Sequence, residues 1–181
     1  MRRLLPFALV ALLALTLLPG LAAVDALDER EARDMVTAYE STDHRDWLSA
    51  VYAHEPFFEK PLPGYAPEVV ARRLLRRILP AADAATANVA ISRFVRALLA
   101  AGLAFAVAGI GTSLFGARSG WLAACALASM VGLPLAARSD GVQVYAALLA
   151  WLGLGRLLQV LTGRTRSRSA PTTPTTSSSA P

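Results

Sequence analysis

The sequence predicts an all-α membrane protein with about four transmembrane helices and a large extracytoplasmic loop after the first. Of its 181 residues, 55% are hydrophobic and 17% are charged, and the mean hydropathy is +0.45. This composition is too apolar for an ordinary soluble domain of the same length. One apolar stretch precedes a charged middle region and three follow it. Because Cys125 is the only cysteine, a disulfide framework and a cysteine-based metal site are excluded.

The first predicted helix covers residues 1–24 and acts as a signal anchor. Residues 4–24 are uncharged and follow Arg2 and Arg3, and their number matches the roughly 20 residues that cross a hydrocarbon core. A cleaved signal peptide is the alternative, because the two arginines and the small residues near Ala23 resemble its ends. A signal peptide normally has an apolar region of only about 7–15 residues, which favours the anchor.

Residues 25–94 form the predicted extracytoplasmic loop with juxtamembrane helices. They hold twelve of the thirteen acidic residues and both histidines. One helix is expected to start at Glu29, and a basic amphipathic helix is expected over residues 68–79. In the second helix one arc is basic, and we expect it to lie on an anionic membrane surface. The alternative is a solvated face over protein. The basic arc consists of Arg72, Arg73, Arg76 and Arg77.

Residues 95–161 are predicted to form three transmembrane helices, at 95–115, 121–137 and 142–161. The stretches are separated by short breaks at 116–120 and 138–141. Pro134 lies within the middle stretch and predicts a kink or a helix end there. The small residues Gly111 and Gly120 are typical of close helix packing. Residues 162–181 are rich in Arg and then in Thr, Ser and Pro, which predicts a disordered tail.

The charge distribution predicts a multi-pass protein of the inner (plasma) membrane. With the amino terminus and the tail in the cytoplasm, four spans place Arg118 and the tail arginines inside and residues 25–94 outside. Loops longer than about 60 residues are translocated largely regardless of their charge, so the basic residues of this loop are compatible with the arrangement. The net charge of +5 comes largely from basic ends, and no nucleic-acid partner is expected. Membrane lipids are expected partners.

Three acidic residues stand at the mouth of the predicted helix bundle. Asp28 and Glu29 follow the first span, and Asp140 lies in the turn between the third and fourth. All three face the same side of the membrane, where one carboxylate can accept a proton while another stabilises positive charge at a sugar carbon. Alternatively, Asp28 and Glu29 are interfacial residues or acids in the first turn of a helix.

The segment 57–65 holds Lys60, the only lysine of the chain, between aromatic residues and prolines. The prolines favour an extended, rigid backbone. An ammonium group held near a membrane surface suits a lipid-linked phosphate. A proline-rich turn with a solvated lysine is the alternative.

Several short motifs, taken in order, resemble the amino-terminal part of the GT-C membrane glycosyltransferases. The likeness is greatest to the lipid A aminoarabinose transferases and the dolichyl-phosphate-mannose–protein mannosyltransferases. It continues through Ser92-Arg93 and residues 138–141 to about residue 155. The motifs that carry it, after the first span, are Leu27-Asp28-Glu29, Arg33-Asp34-Met35, Asp46-Trp47-Leu48 and Phe58-Glu59-Lys60-Pro61 with Gly64-Tyr65.

The resemblance implies transfer of a sugar from a polyprenyl-phosphate donor to an acceptor lipid or protein at the outer membrane face. Asp28 then matches the catalytic aspartate, and Asp140 a second functional acid. Lys60 matches the lysine that contacts the donor phosphate. No cofactor or metal site is implied, and a requirement for a divalent metal is left open. The other residues assigned to substrate binding are Glu59, Glu29, Tyr65 and Arg93.

Members of this family have more than four spans and a further soluble domain, so the resemblance covers their amino-terminal portion. The expected function is therefore a glycosyltransferase or the amino-terminal fragment of one. The alternative is a non-catalytic membrane subunit or degenerate homologue that binds a lipid phosphate or a partner enzyme.

Overall fold

A computed structural model describes residues 4–19, 21, 29–43, 50–60, 64–78, 85–139 and 141–161. The described residues are mostly helical, which agrees with the predicted class, and they include one short β-hairpin that the sequence did not predict. The elements are α1 (Leu5–Leu17), α2 (Glu29–Asp43), β1 (Ala50–Tyr52), β2 (Glu55–Phe57), α3 (Ala66–Ile78), α4 (Ala85–Phe115), α5 (Ala117–Ser129), α6 (Gly132–Ser139) and α7 (Gly141–Leu161).

Two helices are long and apolar enough to cross a membrane. They are the 28 residues Asn88–Phe115 of α4 and the 21 residues Gly141–Leu161 of α7. A third span results if α5 and α6 together count as one bent span. The expectation of four spans is therefore not confirmed, because the described residues provide two or three.

Helix α1 is apolar but has only 13 residues. At 1.5 Å per residue it is about 20 Å long, shorter than a hydrocarbon core of about 30 Å. It ends two residues before Pro19, which has no N–H to donate to the carbonyl of Leu15. Its buried residues, Leu9, Leu13 and Leu17, recur every four positions. They belong to the main apolar core, which also includes buried residues of α4, α5, α6 and α7. The described part of the span predicted over residues 4–24 therefore contains a short packed helix.

The middle apolar stretch is bent by 61° between α5 and α6. The break lies at Met130 and Val131, and Met130 has an extended backbone with ψ of 131°. Pro134 would clash with the carbonyl of Met130 in a continuous helix, because that carbonyl lies four residues earlier. The kink predicted from Pro134 is confirmed.

Helices α4 and α5 pack closely through small residues. Gly116 alone separates them and has φ of +90°, a conformation that favours glycine. A Cβ atom on Gly111 would lie 2.8 Å from the Cα atom of Gly120. The close packing predicted from these two glycines is confirmed.

Of the remaining elements, α2 and α3 pack over the first part of α4, and the hairpin packs against α2. Strands β1 and β2 are antiparallel, with Ala50 opposite Phe57 and Tyr52 opposite Glu55. A second apolar core joins α2, β1 and α3, and Phe57 of β2 and Val142 of α7 pack against it. Its buried residues are Ala38, Ala50, Tyr65 and Val69.

Contacts with α2 hold the hairpin in place. The backbone N–H of Val51 donates to Ser41 Oγ, and that of His54 donates to Glu40 Oε2, each at 3.0 Å. Ala53 and His54 form the turn with positive φ angles of 53° and 65°. This conformation carries a strain that the two tertiary hydrogen bonds offset. As a result, the residues that follow β2 lie beside α2.

Candidate functional site

Lys60 is bound by a buried carboxylate of α2. Its Nζ atom donates to both carboxylate oxygens of Asp34 at 3.1 Å. Asp34 is 1% exposed, whereas the side chain of Lys60 is 19% exposed. The hydroxyl of Tyr65 also donates to Asp34, at 3.2 Å. Burial and the Asp34 charge raise the pKa of Tyr65 above its usual range, so this hydroxyl stays protonated.

A second ion pair lies beside the first. Arg33 Nη1 is 3.0 Å from Glu59 Oε2, and its Nη2 donates to Glu59 Oε1 at 3.2 Å. The guanidinium carbon of Arg33 lies 5.9 Å from the centre of the Phe57 ring. Two consecutive residues after β2, Glu59 and Lys60, therefore meet two consecutive residues of α2. This arrangement fixes the direction in which the chain leaves the hairpin.

Two further ion pairs connect α2 and α3 to α4 and are almost fully buried. Arg93 Nε donates to Glu31 Oε1 at 2.8 Å, and both side chains are 2% exposed or less. Arg96 Nε donates to Glu68 Oε1 at 2.7 Å. Arg96 also donates through Nη1 to the carbonyl of Arg138 at 3.0 Å, which adds α6 to the same network. Carboxylates of α2 and α3 thus neutralise two arginines near the start of an apolar helix.

Arg72 of α3 is a buried cation that bonds to neutral groups. It donates to Asn88 Oδ1, to the Asn88 carbonyl at 3.0 Å and to Ser92 Oγ at 2.6 Å. Its guanidinium lies 5.9 Å from the Tyr39 ring centre. Burial lowers the pKa of Arg72, and the nearby Glu68 charge opposes that shift.

We call these buried and half-buried groups the polar layer. Within the described residues, three of its atoms have no hydrogen-bond partner, namely Arg72 Nε, Arg96 Nη2 and Glu68 Oε2. The polar layer consists of Glu31, Asp34, Lys60, Tyr65, Glu68, Arg72, Arg93 and Arg96.

Three of the four arginines in the basic arc of α3 contact protein groups. Arg72 is buried, Arg73 Nε donates to the Thr42 carbonyl at 3.0 Å, and Arg76 pairs with Asp43. The reason is that α2 supplies counter-charge and acceptors that are distant in sequence and close in space. Only Arg77 of the four has an exposed side chain. The other three lie over protein, as in the alternative of a solvated face over protein, but Arg72 is buried and not solvated.

The predicted site residues divide into three groups. Lys60, Tyr65 and Glu59 come together against α2, and Arg93 joins them indirectly through Glu31, which lies three residues before Asp34. Glu29 is exposed in the first turn of α2. The two predicted catalytic residues, Asp28 and Asp140, lie outside the described residues.

Described neighbours of position 140 contact both the Lys60 segment and the polar layer. A Cβ atom on Gly64 would collide with Val142 Cγ1, and one on Gly141 would lie 2.7 Å from Arg96 Cγ. The start of α7 therefore packs against Gly64, four residues after Lys60.

Sequence reasoning missed most of the partners in the polar layer. Asp34 belongs to one of the motifs, but the sequence assigns it no role. The sequence also gives no indication of the ion pairs and hydrogen bonds made by Glu31, Glu68, Arg72 and Arg96. A helical projection of α2 contains a usable signal, because Glu31 and Asp34 share a face with Met35 and Ala38. Charged residues on an otherwise apolar face indicate buried pairs, since burial of an unpaired charge is costly.

The polar layer is suited to positioning and to anion binding. Each of its three carboxylates is paired with a cationic side chain. A carboxylate paired in this way is not available as a general base. Among the described residues, no group of three or more His, Cys, Asp or Glu side chains is placed to hold a metal ion.

Comparison of the chain with protein-family models, with curated protein sequences and with solved structures found no match in any of the three.

Proposed function

We propose that this chain is a polyprenyl-phosphate-dependent membrane glycosyltransferase or the amino-terminal portion of one. Lys60 binds the donor phosphate, and Asp28 and Asp140 supply the carboxylates that act on the acceptor hydroxyl and the sugar carbon. The acceptor is a lipid A-like lipid or a protein. The chain lies in the inner membrane with residues 25–94 outside and both termini in the cytoplasm.

The observation that carries this proposal is the Lys60–Asp34 pair. A buried carboxylate holds the only ammonium side chain of the chain at a partly exposed position. Asp34 is held in turn by Tyr65, so the ammonium has a defined location. Such a preorganised cation compensates negative charge on a leaving phosphate without reorganisation during the reaction.

Two further features support the proposal. The segment that carries Lys60 packs through Gly64 against Val142, so it lies next to the start of α7. Asp140 directly precedes α7 in sequence. The carboxylates of the polar layer are occupied by cations. Acid–base chemistry therefore falls to acids outside this layer, and Asp28 and Asp140 meet that requirement by sequence.

Sugar transfer in membrane vesicles that contain the full chain tests the proposal. The donors are radiolabelled polyprenyl-phosphate sugars, offered with lipid and protein acceptors. A charge-assisted hydrogen bond contributes about 1.5–3 kcal/mol, so Lys60→Met should raise the KM for the donor at least tenfold. Asp28→Asn should lower kcat by about 10²–10⁴-fold. Arg118→Gln, at an exposed position of α5, is the matched control and should change neither constant.

Full transfer by Asp28→Asn would contradict the role of Asp28, and an unchanged donor KM in Lys60→Met would contradict the role of Lys60. If no donor supports transfer by the unmodified chain, the proposal of an independent catalyst fails.

A non-catalytic lipid-phosphate-binding subunit is the second candidate function. It is favoured because Glu31, Asp34 and Glu68 are each paired with a cationic side chain. The described part of the polar layer therefore holds charged groups but offers no carboxylate as a base. Binding of polyprenyl phosphate alone, measured in vesicles that contain the chain, discriminates the transferase from the binding subunit. Binding that Lys60→Met abolishes, with no sugar turnover in the unmodified chain, favours the subunit.

A further inference from the structure

An apolar groove separates α3 from the first part of α4. Its volume is about 590 Å³, and every side chain that lines it is apolar. Leu74 and Leu75 of α3 form one wall, and Phe94 and Leu98 of α4 form the other. Leu74, Phe94 and Leu98 are each more than half exposed. A groove without polar groups offers nothing to orient a polar ligand, but it suits a hydrocarbon chain.

The groove continues along the transmembrane helix. Phe94 and Leu98 also line a second apolar groove of about 210 Å³ between α1 and α4, which extends to Phe105. From Ala90 to Phe105 the two grooves follow 16 residues of α4, or about 22 Å. This length exceeds half of a hydrocarbon core of about 30 Å, so the grooves together are long enough to cover the depth of one leaflet.

A basic side chain stands at the α3 side of this surface. Arg77 follows Leu74 by three residues, so the two share one helix face, and Arg77 is exposed. Within the described residues Arg77 takes part in no ion pair, in contrast to Arg76, which pairs with Asp43. An apolar groove beside an exposed cation at a membrane boundary is complementary to a lipid with an anionic headgroup.

We infer that this groove binds one acyl chain of an anionic bilayer phospholipid, whose phosphate contacts Arg77. This site differs from the proposed donor site. Val69 and Arg72 of α3 face α2 and the polar layer, whereas Ala71, Leu74 and Leu75 of the same helix face the groove. The bound lipid fastens α3 to the start of α4, where direct apolar contact between the two helices is incomplete.

Electron spin resonance of the full chain in nanodiscs tests this inference. The probes are phosphatidylglycerol and phosphatidylcholine, each with a nitroxide on an acyl chain. We expect a motionally restricted fraction that prefers phosphatidylglycerol about fivefold, the ratio for about 1 kcal/mol per arginine near an anionic headgroup. Arg77→Gln should remove this preference, and Ala90→Phe, which fills the groove, should reduce the restricted fraction for both lipids.

Two control variants separate the groove from the general lipid boundary. Ala146→Phe lies on an exposed position of α7, and Arg118→Gln removes an exposed arginine of α5. Neither should change the signal. Equal effects of Arg77→Gln and Arg118→Gln would overturn the role of Arg77, and since both positions are exposed, this comparison does not depend on a refolded core.

Two other results would also overturn the inference. If Ala90→Phe and Ala146→Phe reduce the restricted fraction equally, only general boundary lipid is present. If the unmodified chain is a dimer that Ala90→Phe dissociates without change in bound lipid, a second copy covers the groove. The variant Lys60→Met should leave the lipid signal unchanged, so failure of the proposed transferase function is distinguishable from failure of this inference.

Discussion

The side chain of Arg96 occupies the space that a side chain at position 141 would take. A Cβ atom on Gly141 would lie 2.7 Å from Arg96 Cγ and Nε and 2.8 Å from Cδ. Arg96 is fully buried and is held by Glu68 and by the Arg138 carbonyl, so it has no free direction in which to move. The start of α7 therefore depends on the same arginine that links α3 to α4.

The first prediction is that Gly141→Ala destabilises the protein by about 1–3 kcal/mol, the usual cost of overpacking a well-packed region. The added methyl group must displace Arg96 from Glu68 or shift the first turn of α7. Thermal unfolding in detergent micelles, followed by circular dichroism, measures the change.

Gly153→Ala on the same helix is the matched control. Nothing lies within 4 Å of a Cβ atom at Gly153, and the position is exposed. Alanine in a helix interior is more favourable than glycine by up to about 1 kcal/mol, so this variant should be as stable as the unmodified chain or more stable. Equal destabilisation by both variants would contradict the contact with Arg96.

The second prediction concerns the buried pair of Glu31 and Arg93. Arg93→Met should destabilise the protein by about 3–5 kcal/mol, because it leaves the Glu31 carboxylate buried without this guanidinium. The double variant Glu31→Leu/Arg93→Met should recover much of that loss. A double-mutant cycle on the free energy of unfolding measures the interaction.

The pair of Arg33 and Glu59 is the control for this cycle. Its side chains are 27% and 50% exposed, and exposed ion pairs contribute about 0–1 kcal/mol. A coupling energy for Glu31 and Arg93 no larger than that of the exposed pair would contradict their burial.

The third prediction is a pH dependence that arises from Tyr65. Its pKa in the folded protein is raised by burial and by Asp34, whereas the unfolded chain has a value of about 10. The unfolded chain therefore loses the proton first. The contribution of Tyr65 to stability is fully present below about pH 10 and declines as the pH rises through the folded pKa.

Spectrophotometric titration at 295 nm measures this pKa directly. In the folded protein Tyr65, one of four tyrosines, should ionise only above the usual pH range of a tyrosine. Tyr65→Phe should remove that late phase, and Tyr52→Phe should keep it, because Tyr52 lies on the hairpin outside the polar layer. Absence of this late phase from the unmodified chain would contradict the Tyr65–Asp34 hydrogen bond.

Those parts of the fold that depend on local pattern were predictable. Helices α4 and α7 follow from long apolar stretches, and α3 (Ala66–Ile78) covers most of the amphipathic pattern at 68–79. The kink follows from Pro134 because its effect acts four residues away within one helix. Pro19 carries the same type of signal for the end of α1, but hydropathy alone outweighed it in the sequence prediction.

Pairing between distant residues was not predictable from local pattern. Glu31 and Arg93 are 62 positions apart, and the counter-charge of Arg76 comes from Asp43, 33 positions earlier. A helical projection identifies which residues share a face, but it does not identify the helix that covers them. The hairpin was missed for a similar reason, since its turn at Ala53 and His54 lacks the glycine of common two-residue turns and depends on hydrogen bonds to α2.

The fourth prediction uses Lys60 as a reporter of membrane sidedness, because it is the only lysine of the chain. In intact cells, a membrane-impermeant sulfonated amine-reactive ester should label Lys60 and leave the amino terminus unmodified. The reason is that the proposed topology places residues 25–94 outside and the amino terminus in the cytoplasm. Lys60→Arg should abolish the labelling of intact cells, and permeabilisation should add labelling at the amino terminus. Peptide mass spectrometry locates each modification. Labelling of Lys60 only after permeabilisation would contradict the proposed topology, because it would place Lys60 on the cytoplasmic side. Lys60 could then not contact a donor presented in the outer leaflet.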